Sequence, residues 1–355
     1  MMLLSFDMLA QQSTPSTFLF EDSINHWYLS RNRGDFEHYS PNEYLSVAEN
    51  LLKYQNEDGG WPKNIDWTAK MNPEEVLAEL SPYHRRSTFD NRNIYPQVEY
   101  LSAVYKISGD ERFRQAAARG IEYMLSTQYP NGSWRGWDVD AITYNDSVIE
   151  GILRTWKSIL DGNEIYSWID KKSRRRIKKS WDAGIEIILK TQYIQNGEKS
   201  VWCQQHDHIT LQPTKARSYE LPSLAGSESA GITMLLMSIE NPSKAIIESV
   251  KAAVRWFDRN KIYGKRLIWV DMPEGHPDAP DIKRDRRLID DPNAEPLWGR
   301  FYELSDNTVF LCNRDGIKVY SLEEVHPERR VGYSWYGTWG KEVLNRYKEW
   351  IKEIE

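Results

Sequence analysis

Leu51-Leu52-Lys53-Tyr54-Gln55, running on through Gly59-Gly60 to Trp61, sets a pattern that the chain repeats twice. Met124-Leu125-Ser126-Thr127-Gln128 leads to Gly132 and Trp134, and Ile188-Leu189-Lys190-Thr191-Gln192 leads to Gly197 and Trp202. Each copy is an apolar helical stripe, a glutamine, a glycine-containing turn and a tryptophan. The glutamines lie 73 and 64 residues apart, which is room for two helices and a working loop rather than the roughly 34 to 45 residues of a stacked helical repeat. Apolar residues at spacings of three and four extend the helical reading to Val98, Leu101 and Val104, to Phe113, Ala117 and Ile121, to Val148, Ile149 and Ile152, and to Ile246, Val250 and Val254. The expected fold class is all-α, an α/α toroid or incomplete α/α barrel of about three helix pairs with long functional loops and minor β. Residues 1–24 are expected to form a flexible N-terminal extension and residues 25–355 one catalytic domain. The polar stretch 262–295, with a strand at Arg266 to Asp271, reads as a lid, a cleft wall or a surface insertion, and residues 343–354 read as a closing amphipathic helix.

Of 355 residues, 40% are hydrophobic and 28% charged, which fits a soluble globular chain. A net charge of -6 argues against general nucleic-acid binding, and the basic run Lys283 to Arg287 reads as a solvated face. Fifteen tryptophans and 20 tyrosines stand out, since flat amphipathic rings both pack cores and stack on sugar faces. Cys203 and Cys312 fit either one disulfide or two free thiols. The first ten residues lack a basic region and contain Asp7, making a poor signal peptide, and no stretch is long and apolar enough to span a membrane.

Chemistry concentrates in three segments: Ser87-Thr88-Phe89-Asp90-Asn91, Thr143-Tyr144-Asn145-Asp146, and Lys215-Ala216-Arg217-Ser218-Tyr219-Glu220. Hard oxygen ligands from separate loops suit a calcium ion, and an arginine suits an anionic substrate. Asp and Asn at helix starts also serve as caps, so either pair alone would read as structural. His206-Asp207-His208 lacks a third nearby ligand for tetrahedral zinc. No nucleophile elbow, phosphate loop or dinucleotide fingerprint is present, which removes acyl-transfer and nucleotide chemistry.

These segments, with Gly59-Gly60-Trp61-Pro62-Lys63-Asn64, Gly226-Ser227-Glu228-Ser229, Ile239-Glu240-Asn241-Pro242, Pro296-Leu297-Trp298-Gly299-Arg300-Phe301-Tyr302-Glu303-Leu304 and Asn313-Arg314-Asp315-Gly316, resemble polysaccharide lyase family 10, the pectate lyases, from about Leu51 to Trp339. The resemblance implies that Asp90 and Asp146 hold calcium together with a substrate carboxylate, and that Arg217 is the Brønsted base. It implies further that Arg300 and Arg314 bind substrate carboxylates, with Lys63, Lys215, Asn91 and Asn145 as further substrate contacts. The chain departs from the family in its short 135–142 loop, in Ser147 where a second aspartate is common, and in Arg92-Asn93-Ile94-Tyr95, which points to altered outer subsites or calcium geometry.

The function expected is calcium-dependent cleavage of polygalacturonate by anti-β-elimination, in a monomer, secreted or periplasmic by the same resemblance. Three rivals remain: an α/α-barrel hydrolase of uronides, which would need an acid and a base carboxylate; a cyclase of the triterpene type, which also carries glutamine-tryptophan repeats; and a catalytically silent pectin-binding protein.

Overall fold

The computed structural model describes residues 14–31 and 36–354. Contacts group them into two compact units, one of residues 1–127 and 155–177, the other of residues 128–154 and 178–355. The segment read as a poor signal peptide lies outside the described residues, and the expected boundary at residue 24 falls inside the first helix.

In the first unit a short 3₁₀ turn, Thr17–Phe20, leads into α1 (Glu21–Arg31), followed by α2 (Tyr44–Tyr54), α3 (Pro73–Glu79), α4 (Tyr95–Ser108) and α5 (Glu111–Ser126). Phe20 is buried, with its ring 5.1 Å from that of Tyr100 on α4. Gly109, at φ 70°, ends α4 in the left-handed conformation that glycine adopts freely. Asp110 then caps α5 by accepting from the Arg112 N–H at 2.9 Å, so a two-residue turn sets α4 and α5 side by side. The unit boundaries fall within α6 (Val148–Leu160) and α7 (Lys171–Thr191).

The second unit packs α8 (Gly226–Met237), α9 (Lys244–Arg259) and α11 (Trp339–Ile354) together, with the short α10 (Pro327–Gly332) before the last of them. Its strands are mostly two to four residues long: β1 (Ala141–Thr143), β2 (Ile194–Gln195), β3 (Glu198–Lys199), β4 (Gln205–Asp207), β5 (Leu224–Ala225), β6 (Lys265–Asp271), β7 (Arg284–Asp290), β8 (Trp298–Gly299), β9 (Phe301–Tyr302), β10 (Val309–Cys312), β11 (Lys318–Val319) and β12 (Tyr336–Gly337). They form a four-stranded sheet in the order β11-β10-β9-β5 and the antiparallel pairs β1-β4, β2-β3, β6-β7 and β12-β8. The 262–295 stretch contains a hairpin of two seven-residue strands, the first of which covers the expected strand at Arg266 to Asp271. Leu267 and Leu288 of that hairpin pack on a core cluster built from Tyr219, Phe301, Phe310 and Trp335. Cys203 and Cys312 are both free and buried.

The repeated glutamine has a common structural role. Gln55 donates one amide N–H to the Gly59 carbonyl at 2.8 Å and the other to Ala116 on α5 at 2.9 Å. Gln128 does the same to Gly132 at 2.8 Å and Ser180 on α7 at 3.0 Å, and Gln192 to Ser200 at 2.9 Å and Ser249 on α9 at 3.0 Å. One side chain thus closes the turn after its own helix and ties it to the next helix. The contact is close: at Gly132, φ 94°, a Cβ would sit 2.3 Å from the Ala183 carbonyl oxygen of α7. Trp61 and Trp202 complete the joint by donating their indole N–H to Leu51 and Ile188 at 2.7 and 2.8 Å.

Gln192 is buried, so Gln192→Leu keeps the packing while leaving the Ser200 and Ser249 carbonyls without a donor. The substitution is expected to cost about 1–3 kcal/mol, seen as a lower denaturant midpoint at unchanged slope.

Candidate active site

The three repeated tryptophans each hand the chain to a loop bearing candidate site residues. The Trp61 carbonyl accepts from the Thr88 N–H, two residues before Asp90. The Trp134 carbonyl accepts from the Thr143 N–H, ahead of Asn145 and Asp146, and the Trp202 carbonyl from the Ala225 N–H, ahead of Glu228. The helical framework therefore reaches the site through backbone hydrogen bonds.

In the first unit Asp90 is buried and ion-paired with Lys63. Asn91 donates to the Asn64 side chain at 2.7 Å. Backbone strain follows at once: Asn91, Arg92 and the β-branched Ile94 have φ of 53°, 51° and 77°, a conformation that a β-branched side chain disfavours and that tends to occur where geometry serves function.

In the second unit Asp146 and Ser147 are also left-handed, at φ 52° and 54°, where the chain turns into α6. The Gln204 carbonyl fixes this turn by accepting from the N–H groups of Tyr144 at 2.8 Å and Asn145 at 3.3 Å. The Gln204 amide donates to Asn145 Oδ1, to Glu228 Oε1 at 2.8 Å and to the Tyr333 hydroxyl at 3.0 Å. Arg300 joins the same acceptors, with Nη2 2.9 Å from Asn145 Oδ1 and 2.5 Å from Glu228 Oε1. Its position is set by the backbone, whose N–H donates to Trp335 and whose carbonyl accepts from Gly226 at the start of α8. Burial opposes its charge, but Glu228 and the neighbouring Tyr333 and Asp146 hold its pKa above the ordinary value.

Arg217 lies in the loop before β5. It donates through Nε at 2.9 Å and Nη2 at 2.5 Å to the two carboxylate oxygens of Glu220, which is 1% exposed. The Tyr333 hydroxyl donates to the same carboxylate at 3.1 Å. Burial disfavours the charge on both partners, yet the paired hydrogen bonds prevail: Glu220 is lowered and Arg217 raised. In this arrangement Arg217 is a cation. Arg314, in the turn between β10 and β11, pairs with Glu328 at 3.0 and 2.8 Å, and Arg329 of α10 shares that carboxylate at 2.9 and 2.7 Å. Hydrogen bonds from the two arginines depress Glu328 to about 2. Arg217, Arg314 and Arg329 all lie over the Tyr219 ring, at 5.0, 5.6 and 4.8 Å from its centre. Lys215 is exposed, two residues before Arg217.

Among the candidates, the structure of the second unit thus brings Asn145, Asp146 and Arg300 into one hydrogen-bonded network, which reaches Arg217 through Gln204, Tyr333 and Glu220. Gln204, Tyr333, Glu328 and Arg329 carried no sequence signal. Glu220 and Glu228 lay inside the quoted motifs, where a carboxylate three residues after an arginine was the available clue. No group of three His, Cys, Asp or Glu side chains able to hold a metal occurs among the described residues. Asp90 and Asp146 each offer a hard oxygen donor of the kind calcium takes. His206 engages backbone at both nitrogens: Nε2 accepts from the Cys203 N–H at 3.2 Å, so Nδ1 donates to the Leu211 carbonyl at 3.0 Å.

The sequence profile of the pectic acid lyase family matches residues 55–344. The family 10 polysaccharide lyase from Cellvibrio cellulosa is 28% identical, with a TM-score of 0.70 over 87% of this chain and 95% of that one. A point mutant of that lyase, in complex with trigalacturonic acid, matches with the same identity and TM-score over 96% of its length. The helix-rich α/α fold class expected from the sequence is the one found. The chain belongs to the pectic acid lyase family and is a polysaccharide lyase.

Burial lowers the pKa of His206 from 6.5 to about 4, so its neutral form contributes stability that is complete above pH 6.5 and lost as the pH falls towards 4. Unfolding free energy should drop by about 1.4 kcal/mol per pH unit across that window from this group alone. NMR titration of the His206 ring is expected to give a midpoint near the lower value.

Proposed function

We propose that this lyase cleaves polygalacturonate by anti-β-elimination with Arg217 as the base and calcium as the cofactor. The observation that carries the reading is the buried Glu220 carboxylate, which grips Arg217 in a bidentate pair and connects it, through Tyr333 and Gln204, to Arg300 and the Asn145–Asp146 turn. The likeness to a lyase solved with trigalacturonic acid names a substrate of matching charge.

Arg300 and Arg314 bind uronate carboxylates, since a guanidinium fork fits a carboxylate at two points. Asn91, Asn145, Lys63 and Lys215 add polar contacts along the sugar chain. Asp90 and Asp146 are the calcium ligands from the protein. When bound, calcium draws charge from the substrate carboxylate and so acidifies the C5 proton.

An arginine is a poor base while charged, so Arg217 acts in its neutral form, with Glu220 holding it in place at two points. Burial works against both charges of the pair. Loss of an Nη1 proton to solvent leaves a neutral guanidine that Glu220 still holds through Nε and Nη2. The guanidine then takes the C5 proton, the C5–H electron pair forms the C4–C5 double bond, and the C4–O bond breaks with its electrons on the leaving oxygen. Water protonates that oxygen. Such a polymer is met outside the cell, which makes a secreted or periplasmic monomer part of the same reading.

Incubation with polygalacturonate is expected to produce the ultraviolet absorbance of a 4,5-unsaturated uronate, to stop on addition of a chelator and to resume with calcium. Reducing ends formed without that absorbance would mean hydrolysis instead. Glu220→Gln keeps the shape but breaks the two-point grip that aims Arg217, so kcat should fall about 10²- to 10⁴-fold with KM changed little. An unaltered kcat would remove Glu220 from the mechanism.

A further inference from the structure

The hairpin of β6 and β7 carries an aromatic ring that the core does not use. Trp269 is 46% exposed, while Trp61, Trp134 and Trp202 are fully buried. It faces Arg286 directly across the two strands, with that guanidinium 4.5 Å from the ring centre and the Arg284 guanidinium 5.1 Å away. Arg284 is itself mostly exposed and pairs with Asp271 at 3.2 Å.

Arg286 links this patch to the active site. Its Nη1 donates to the Tyr333 carbonyl at 3.0 Å. The ring of the same Tyr333 lies under Arg300, 4.7 Å away, and its hydroxyl donates to Glu220. One residue therefore separates the hairpin from the proposed machinery. Arg286 is partly buried beneath the ring, which leaves Arg284 as the more exposed guanidinium of the two.

A ligand that answers all three features has an apolar C–H face for the indole, a carboxylate for the arginines, and continuity with a chain already bound at Arg300. A uronate residue has each of these. A lone small anion would leave the ring unused, and nucleic acid is disfavoured by the net charge of -6.

We propose that Trp269, Arg284 and Arg286 form an outer subsite for a uronate residue of the same acidic polysaccharide chain, beyond the bond that is cleaved. This rests on the polygalacturonate reading above. The subsite serves only substrates long enough to reach the hairpin, so it adds affinity for long chains that a trimer cannot draw on.

The test compares wild type with Trp269→Ala and Arg284→Gln, both at exposed positions, on trigalacturonate and on longer oligogalacturonates. The ratio of kcat/KM for long over short substrate should fall about tenfold in Trp269→Ala, the scale of one lost charge-assisted or stacking contact, and by less in Arg284→Gln. A ratio equal to that of wild type overturns the proposal. So does an equal loss at both lengths, which would mean that the hairpin acts by holding Tyr333. Binding of the same oligomers is measured by calorimetry whether or not they are cleaved. If wild type produced no unsaturated uronate but bound long oligomers more tightly in a Trp269-dependent way, the subsite would stand and the lyase reading of the substrate would fall. Binding with no length dependence would overturn the subsite.

Discussion

A primary amide carries two N–H donors, and three glutamines here divide them the same way, one to the turn that follows and one to a neighbouring helix. Each is at least half-buried, where an unmet carbonyl is costly and a met one is held firmly. From that joint the path to the site is short: turn, tryptophan, then the strand-like segment whose N–H docks on the tryptophan carbonyl. Asp90, the Asn145–Asp146 pair and Glu228 each sit within three residues of such a docking point. The left-handed conformations at Asn91, Ile94 and Asp146 are sustained by this support, since strain of that kind persists only where the surroundings overdetermine it.

The site in the second unit is an arrangement of arginines each matched to a glutamate. Glu220 orients Arg217, Glu228 orients Arg300, and Glu328 orients Arg314 and Arg329. Long cationic side chains lose considerable rotamer freedom on binding an anion. Here that freedom is already spent in the folded protein, because each guanidinium is held by its glutamate. Tyr219 and Tyr333 add faces against which the cations rest.

Much of this was legible in the residues. The glutamine-to-tryptophan pattern located the ends of α2, α5 and α7, and stripes at three- and four-residue spacing located α4, α5, α6 and α9, because amphipathic helices leave a long periodic trace. The sheet of β5, β9, β10 and β11 left none, since strands of two to four residues are too short to show alternation. In the 262–295 stretch the first strand was legible and its partner β7 was not, because β7 is polar and exposed over much of its length. Among the candidates, Asn145 and Asp146 drew notice as oxygen ligands in a loop, while Arg217 and Arg300 were named through the family resemblance. Gln204 and Tyr333 did not, because their importance comes from contacts more than a hundred residues away in sequence.

The third glutamine joint differs from the first two in one respect. Gln55 and Gln128 reach a carbonyl four residues on, whereas Gln192 reaches one eight residues on, across the small β2-β3 ribbon. The clasp closes on the far end of the turn regardless of what lies between. The span that the clasp closes is thus not fixed, and the turn after Gln192 is the one that carries extra chain, as the β2-β3 ribbon. Extra chain can therefore be housed inside the clasp itself, with the glutamine still reaching the helix beside it.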